Sequence, residues 1–161
     1  MKKVLRKLIG LSFAAMMYAA LFSIVSNAAG TNTIEVSVSG KINYTKAFTL
    51  LERVNQLRTQ EKLDPIMMDV NLLEAAMKRA AELTLKYSPT RPDNTSGLTI
   101  YDGVAAENIA AGYNQFIVTK DIFTNWKANA QYNANFLNPD FKSAGVGYFR
   151  QDTYTYCVMI F

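Results

Sequence analysis

The side chains able to do chemistry in this 161-residue chain are few, and histidine is not among them. Without an imidazole, no side chain has an ordinary pKa near neutrality, and the commonest metal ligand is missing. Ser88 and Ser143 have no histidine to activate them, which excludes a serine triad. Cys157 is the only cysteine, so no intrachain disulfide forms. It sits in Tyr154-Thr155-Tyr156-Cys157-Val158-Met159, which reads as a core strand, and is expected to be buried and inert. No glycine-rich phosphate loop or paired-cysteine metal motif occurs. The remaining polar candidates are Glu107, Arg91, Ser88, Tyr132 and Asn129, the last in an amide-rich stretch with Gln131, Asn133 and Asn135. Amides hydrogen-bond sugars or peptides, and near a helix end they also serve as caps.

Charge and the N-terminal segment narrow the partner classes. Lys2, Lys3, Arg6 and Lys7 precede an uncharged apolar run over residues 8–25, and Ser26-Asn27-Ala28 supplies small residues for cleavage before Ala29. Residues 1–28 are thus expected to be a signal peptide. The rival is an uncleaved anchor, because a run of about 18 apolar residues just spans a bilayer. Gly10, Ser12 and Ser23 weaken that run, which favours cleavage. The leader holds four of the 17 basic residues and none of the 13 acidic ones, so the exported part is neutral. Nucleic-acid binding needs a basic face, and this balance offers none.

The elements that must position these residues follow from periodicity. Residues 29–43 read as a short arm in which Ile34, Val36 and Val38 alternate with Glu35 and Ser37, as in a half-exposed strand. Ala47, Leu50, Leu51, Val54 and Leu57 share one face of a helix over residues 45–61. Asp69 caps a second helix over 70–87, with Leu72, Leu73, Ala76, Ala80 and Leu83 inward. Pro89 and Pro92 then open an irregular loop through Gly103. A third helix covers 119–128 with Ile122, Phe123 and Trp126 buried, and a short helical turn covers 130–137. Strands over 144–149 and 154–161 form a terminal hairpin. Helices interleaved with a few antiparallel strands indicate an α+β sandwich.

Several segments in one order resemble the CAP superfamily of cysteine-rich secretory, venom-allergen and pathogenesis-related proteins, in its bacterial SCP-like form. Val54-Asn55-Gln56-Leu57-Arg58 is similar to the "vNqeR" end of that family's first helix. Thr90-Arg91-Pro92-Asp93 resembles its "SHTRPdG" loop, and Glu107-Asn108-Ile109-Ala110-Ala111-Gly112 its "GENIAaG" signature. The stretch from Trp126 to Pro139, Gly145-Val146-Gly147 and the last strand complete the set. The resemblance implies an α-β-α sandwich with a small, mainly antiparallel sheet over residues 44–161. It also implies a cleft tetrad of two histidines and two acidic residues, which binds a divalent ion in several members. Here Pro89 and Tyr132 stand at the two histidine positions and Asn129 at one acidic position, which leaves Glu107.

The expected metal site is therefore lost, and no cofactor is expected. Glu107, Tyr132, Asn129, Ser88 and Arg91 remain as cleft candidates, with structural roles open to each. Glu107 could fix a turn by accepting backbone N–H groups, Arg91 could hold its loop by ion pairs, and Tyr132 could pack half-buried. The expected function is a secreted, non-catalytic binding or interaction module. The resemblance implies ligands such as a lipid, a peptide or a cell-surface partner. Two alternatives stand beside it: a hydrolase using Glu107 with a non-histidine partner, and a structural surface protein with a vestigial cleft.

Overall fold

The computed structural model describes residues 17–27, 33–113 and 119–161. In chain order the elements are β1 (Met17–Asn27), β2 (Thr33–Asn43), α1 (Tyr44–Gln60), β3 (Met67–Met68), α2 (Val70–Glu82), β4 (Glu107–Tyr113), α3 (Thr119–Ala128), α4 (Ala130–Leu137), β5 (Ser143–Gln151) and β6 (Tyr154–Ile160). The strands join in the order β1-β2-β5-β6-β4, all antiparallel, and the two-residue β3 runs parallel to the start of β5. Helix α2 covers one face of this sheet, while α1, α3 and α4 pack together on the other. The result is the expected α+β sandwich.

Successive strand residues point to opposite faces, and β5 shows what each layer demands. A Cβ on Gly147 would run into the Ala76 carbonyl of α2, so glycine lets helix and strand backbones touch. On the opposite face, Tyr148 is buried with Lys46 of α1 5.8 Å above its ring. Cys157 is fully buried on that same face, and burial raises its thiol pKa well above the ordinary range. Such a thiol is unreactive.

The helix ends carry their own capping. Asn43 accepts from Lys46 N at 2.9 Å, and Asp69 accepts from Asn71 N and Leu72 N. The second helix is shorter than the periodicity predicts. Thr84 N donates to Ala81 O and Leu85 N to Glu82 O, so the last turn tightens into three-residue spacing and stops before Pro89. Within the expected 29–43 arm, residues 33–43 form strand β2. This strand pairs along its whole length with β1, which comes from the expected leader. The basic start of that leader and the junction between Ala28 and Ala29 lie outside the described residues.

Two residues of the first helix lock the layers that build the cleft. Asn55 grips one peptide, accepting from Ile66 N and donating to Ile66 O, both at 2.8 Å. Arg58, with no exposed surface, donates to Asp64 O at 2.7 Å and to Phe136 O and Asn138 O at 2.7 and 2.8 Å. A buried cation is tolerated here because several carbonyl dipoles replace its water. Those bonds tie α1 to the C-terminal end of α4. Lysine cannot reproduce the fork. Arg58→Lys is expected to lose about 3 kcal/mol, the worth of roughly two charge-assisted bonds. Urea unfolding measures this, and an unchanged midpoint would show that α4 is held by other contacts.

Candidate functional site

Arg79 is the least expected residue of α2: a guanidinium with no exposed surface, on the stripe that carries Ala76, Ala80 and Leu83. Its Nε donates to Glu107 Oε1 at 2.7 Å, and its Nη2 donates to Ser88 O at 2.6 Å. Its Nη1 makes no hydrogen bond among the described residues and lies 3.6 Å from Glu82 Oε2. Glu82, 1% exposed, in turn receives Arg91, whose Nη2 donates at 2.7 Å and Nε at 3.0 Å. Arg91 also approaches Asp93 at 3.7 Å. The core of this chain is two cations and two carboxylates, neutral overall. It ties β4 and α2 to the loop after α2.

Strand β4 has a second anchor on its other face. Asn108 is fully buried, accepts from Asn135 Nδ2 at 2.7 Å and donates to Tyr132 O at 3.2 Å. Adjacent residues of one edge strand thus reach opposite layers, Glu107 toward α2 and Asn108 toward α4. Trp126 adds a third tie, donating from its ring nitrogen to Ile109 O at 3.0 Å, and is buried as expected.

Between these anchors lies a cleft of about 350 Å³ at the start of β4. Its polar lining is Glu107, Gln131, Tyr132, Asn135 and Ser96, and Pro89, Leu98 and Ile109 are among its apolar contributors. A Cβ at position 97 would lie 2.6 Å from Glu107 Oε2 and 2.8 Å from Pro89 O, so Gly97 lets the loop close over the carboxylate. Burial raises the Glu107 carboxyl pKa above its ordinary value, and the neighbouring Arg79 charge and hydrogen bond offset this only in part. Tyr132 is half-buried, its ring edge-on to Trp126 at a centroid distance of 6.2 Å.

The sequence candidates divide cleanly. Glu107 and Tyr132 line the cleft together with Pro89. Asn129 lies outside the lining and caps α4, accepting from Gln131 N and Tyr132 N at 3.0 and 3.1 Å. Ser88 uses its hydroxyl to accept from Thr90 N and its carbonyl to receive Arg79. Arg91 is committed to Glu82. Glu107 differs from the expected turn carboxylate: it opens a strand, and the bond that holds it comes from a guanidinium. The Arg79–Glu82 pair and Asn108 were not anticipated. Their signal was an i, i+3 charged pair set on an apolar stripe.

This donor set does not fit a divalent metal. Proline offers no donor, Asn129 is spent on a helix cap, and Tyr132 offers only a phenol oxygen. One oxygen of Glu107 is held by a cation that would repel a second one. Among the described residues no three His, Cys, Asp or Glu side chains gather into a metal-binding group.

The model of the cysteine-rich secretory protein family, CAP, matches residues 51–161. No match to the chain is found among curated protein sequences. Among solved structures, an outer surface protein of Borrelia burgdorferi aligns with TM-score 0.58 at 18% identity, covering 70% of this chain and 88% of that one. A cysteine-rich secretory protein of Staphylococcus aureus aligns at 0.55 and 17%, and an extracellular SCP-domain protein of Bacillus anthracis at 0.54 and 14%. Each covers 73% of this chain, which spans about two fifths of those two proteins (39% and 40%).

The network predicts an asymmetry. Glutamine keeps an oxygen to accept from Arg79 Nε and leaves Glu82 as the nearby counter-charge, so Glu107→Gln is expected to cost less than about 2 kcal/mol at neutral pH. Arg79→Met leaves the Glu107 carboxylate and the Ser88 carbonyl without their donor and is expected to cost about 3 kcal/mol or more. Urea unfolding of both variants measures the contrast, and equal losses would contradict it. A raised native pKa also means that the folded state keeps its proton where the unfolded chain has released it. Stability therefore falls as pH rises from near 4.5 through the raised native value, then levels off. Midpoints across that window should show this limb in the wild type and not in Glu107→Gln; parallel profiles would refute it.

Proposed function

Because this chain belongs to the cysteine-rich secretory protein family, we propose that it is an exported, non-catalytic binding module whose cleft takes a peptide-like ligand. Export rests on the leader pattern of residues 1–28. The extracellular and outer-surface character of the similar solved structures supports it. Among the described residues no helix is long and apolar enough to cross a membrane.

The observation that carries the binding reading is the state of the polar groups in the cleft. Asn135 donates its N–H to Asn108, which leaves its carbonyl oxygen to accept from a ligand. The Gln131 amide and the Tyr132 hydroxyl make no hydrogen bond within the described residues. Amide, phenol and hydroxyl groups over an apolar floor suit backbone N–H and C=O groups flanked by a small apolar side chain. A fatty acyl chain would leave those polar groups unsatisfied, so a peptide fits better than a lipid.

The alternative with an observation behind it is a hydrolase. A cleft carboxyl with a raised pKa is what a general acid needs. Against this, Glu107 is held by Arg79, and the lining holds no histidine, cysteine or second carboxylate beside it. Turnover of any substrate that vanishes in Glu107→Gln would establish the hydrolase and end the binding-only reading.

The test is a peptide array probed with the exported protein, with affinities of the hits measured by calorimetry. Gln131→Ala and Tyr132→Phe should each weaken a true cleft ligand by about ten-fold, one hydrogen bond's worth. Hits indifferent to both substitutions would place the ligand elsewhere and make the cleft vestigial.

A further inference from the structure

Strand β1 occupies the edge of the sheet with a segment that the proposed export would remove. It pairs with β2 from Met17 opposite Asn43 to Asn27 opposite Thr33. Ile24 is 1% exposed, and Phe22 stands edge-on to Phe149 at 5.8 Å. Together they cover the face of β2 that carries Val38 and Ile42, both buried. The other face of β1 is apolar as well, with Leu21 72% and Val25 46% exposed. Native edge strands defend themselves with charges, prolines or bulges. The described part of β1 carries none of these, which suits a leader and not a resident edge.

Strand β2 has the opposite character. Val36, Val38 and Ile42 share its covered face, while Glu35, Ser37, Ser39 and Lys41 are exposed on the other. Ser23 of β1 donates its hydroxyl hydrogen bond to Glu35. Loss of β1 frees that carboxylate, strips the cover from Val38, Ile42 and Phe149, and opens a row of backbone donors and acceptors. An edge of this kind pairs with another strand.

We propose that the exported protein pairs β2 with β2 of a second copy of itself, antiparallel about a two-fold axis at Val38. In that register Glu35 of each copy lies opposite Lys41 of the other, so the interface carries two charge pairs. Ser37 lies opposite Ser39 and Val36 opposite Gly40, so apolar positions meet on one face and polar positions on the other. The contact is isologous, as a two-fold dimer requires. Opposite charges directly across an antiparallel pair stabilise it, and like charges there destabilise it. The β1 register offers no such match, setting Glu35 opposite Val25 and Lys41 opposite Ala19. This inference rests on the proposed removal of the leader.

The test expresses the full chain in a secreting bacterial host and measures intact mass and sedimentation velocity. The expected result is the mass of residues 29–161 sedimenting as a dimer. Glu35→Lys and Lys41→Glu should each weaken dimerisation about ten-fold or more, with unchanged melting of the protomer. The double exchange, Glu35→Lys with Lys41→Glu, should restore it. A cleaved monomer, or a dimer indifferent to charge reversal, would overturn the inference and leave the export reading standing. A mass that still includes residues 17–28 would overturn both.

Discussion

A guanidinium without exposed surface has to be matched by acceptors inside the protein, and Arg79 imposes that demand on everything around it. Uncompensated, such a charge costs several kcal/mol. Its acceptors are the carboxylate that opens β4 and the Ser88 carbonyl after α2, and Glu82, one turn further along the helix, adds a counter-charge 3.6 Å away. Glu82 then requires Arg91. The loop after α2 is pinned at two points as a result, and its Pro89 and Ser96 become one wall of the cleft.

The opposite wall has a different origin. Asn108 turns away from Arg79 and holds α4 through Asn135 and the Tyr132 carbonyl, while Arg58 holds the far end of the same helix. Each anchor uses a side chain to satisfy backbone or amide groups, so little polar capacity is lost from the lining itself. What remains in the cleft is uncharged apart from Glu107, whose charge is balanced from behind. On the proposed binding reading, such a site recognises its ligand by hydrogen bonds and shape. Among the described residues its lining holds neither an imidazole nor a cluster of carboxylates.

Much of the architecture was legible in the sequence because it rests on periodicity. α1, α3, α4 and the β5–β6 hairpin stand within two residues of their expected bounds, and the caps Asp69 and Asn129 act as their residue types allow. Strand β4 was invisible for a physical reason. Ala110, Ala111 and Gly112 have little strand preference, and the segment is extended because β6 pairs with it across seven positions. β1 was invisible because an apolar run after a basic start reads as a leader whatever its fold. In the site, Glu107 and Tyr132 were legible through the family signature. Arg79 was not, because a charge on a helix is ordinarily placed in water. Its partners lie 9 and 28 positions away in the chain, at Ser88 and Glu107.

With Glu107 engaged as the counter-ion of Arg79, no zinc is expected to bind in the cleft. Calorimetric titration of the exported protein with zinc chloride at neutral pH tests it most directly. No saturable one-to-one binding is expected, in the wild type or in Glu107→Gln. Stoichiometric zinc binding by the wild type that Glu107→Gln abolishes would contradict it.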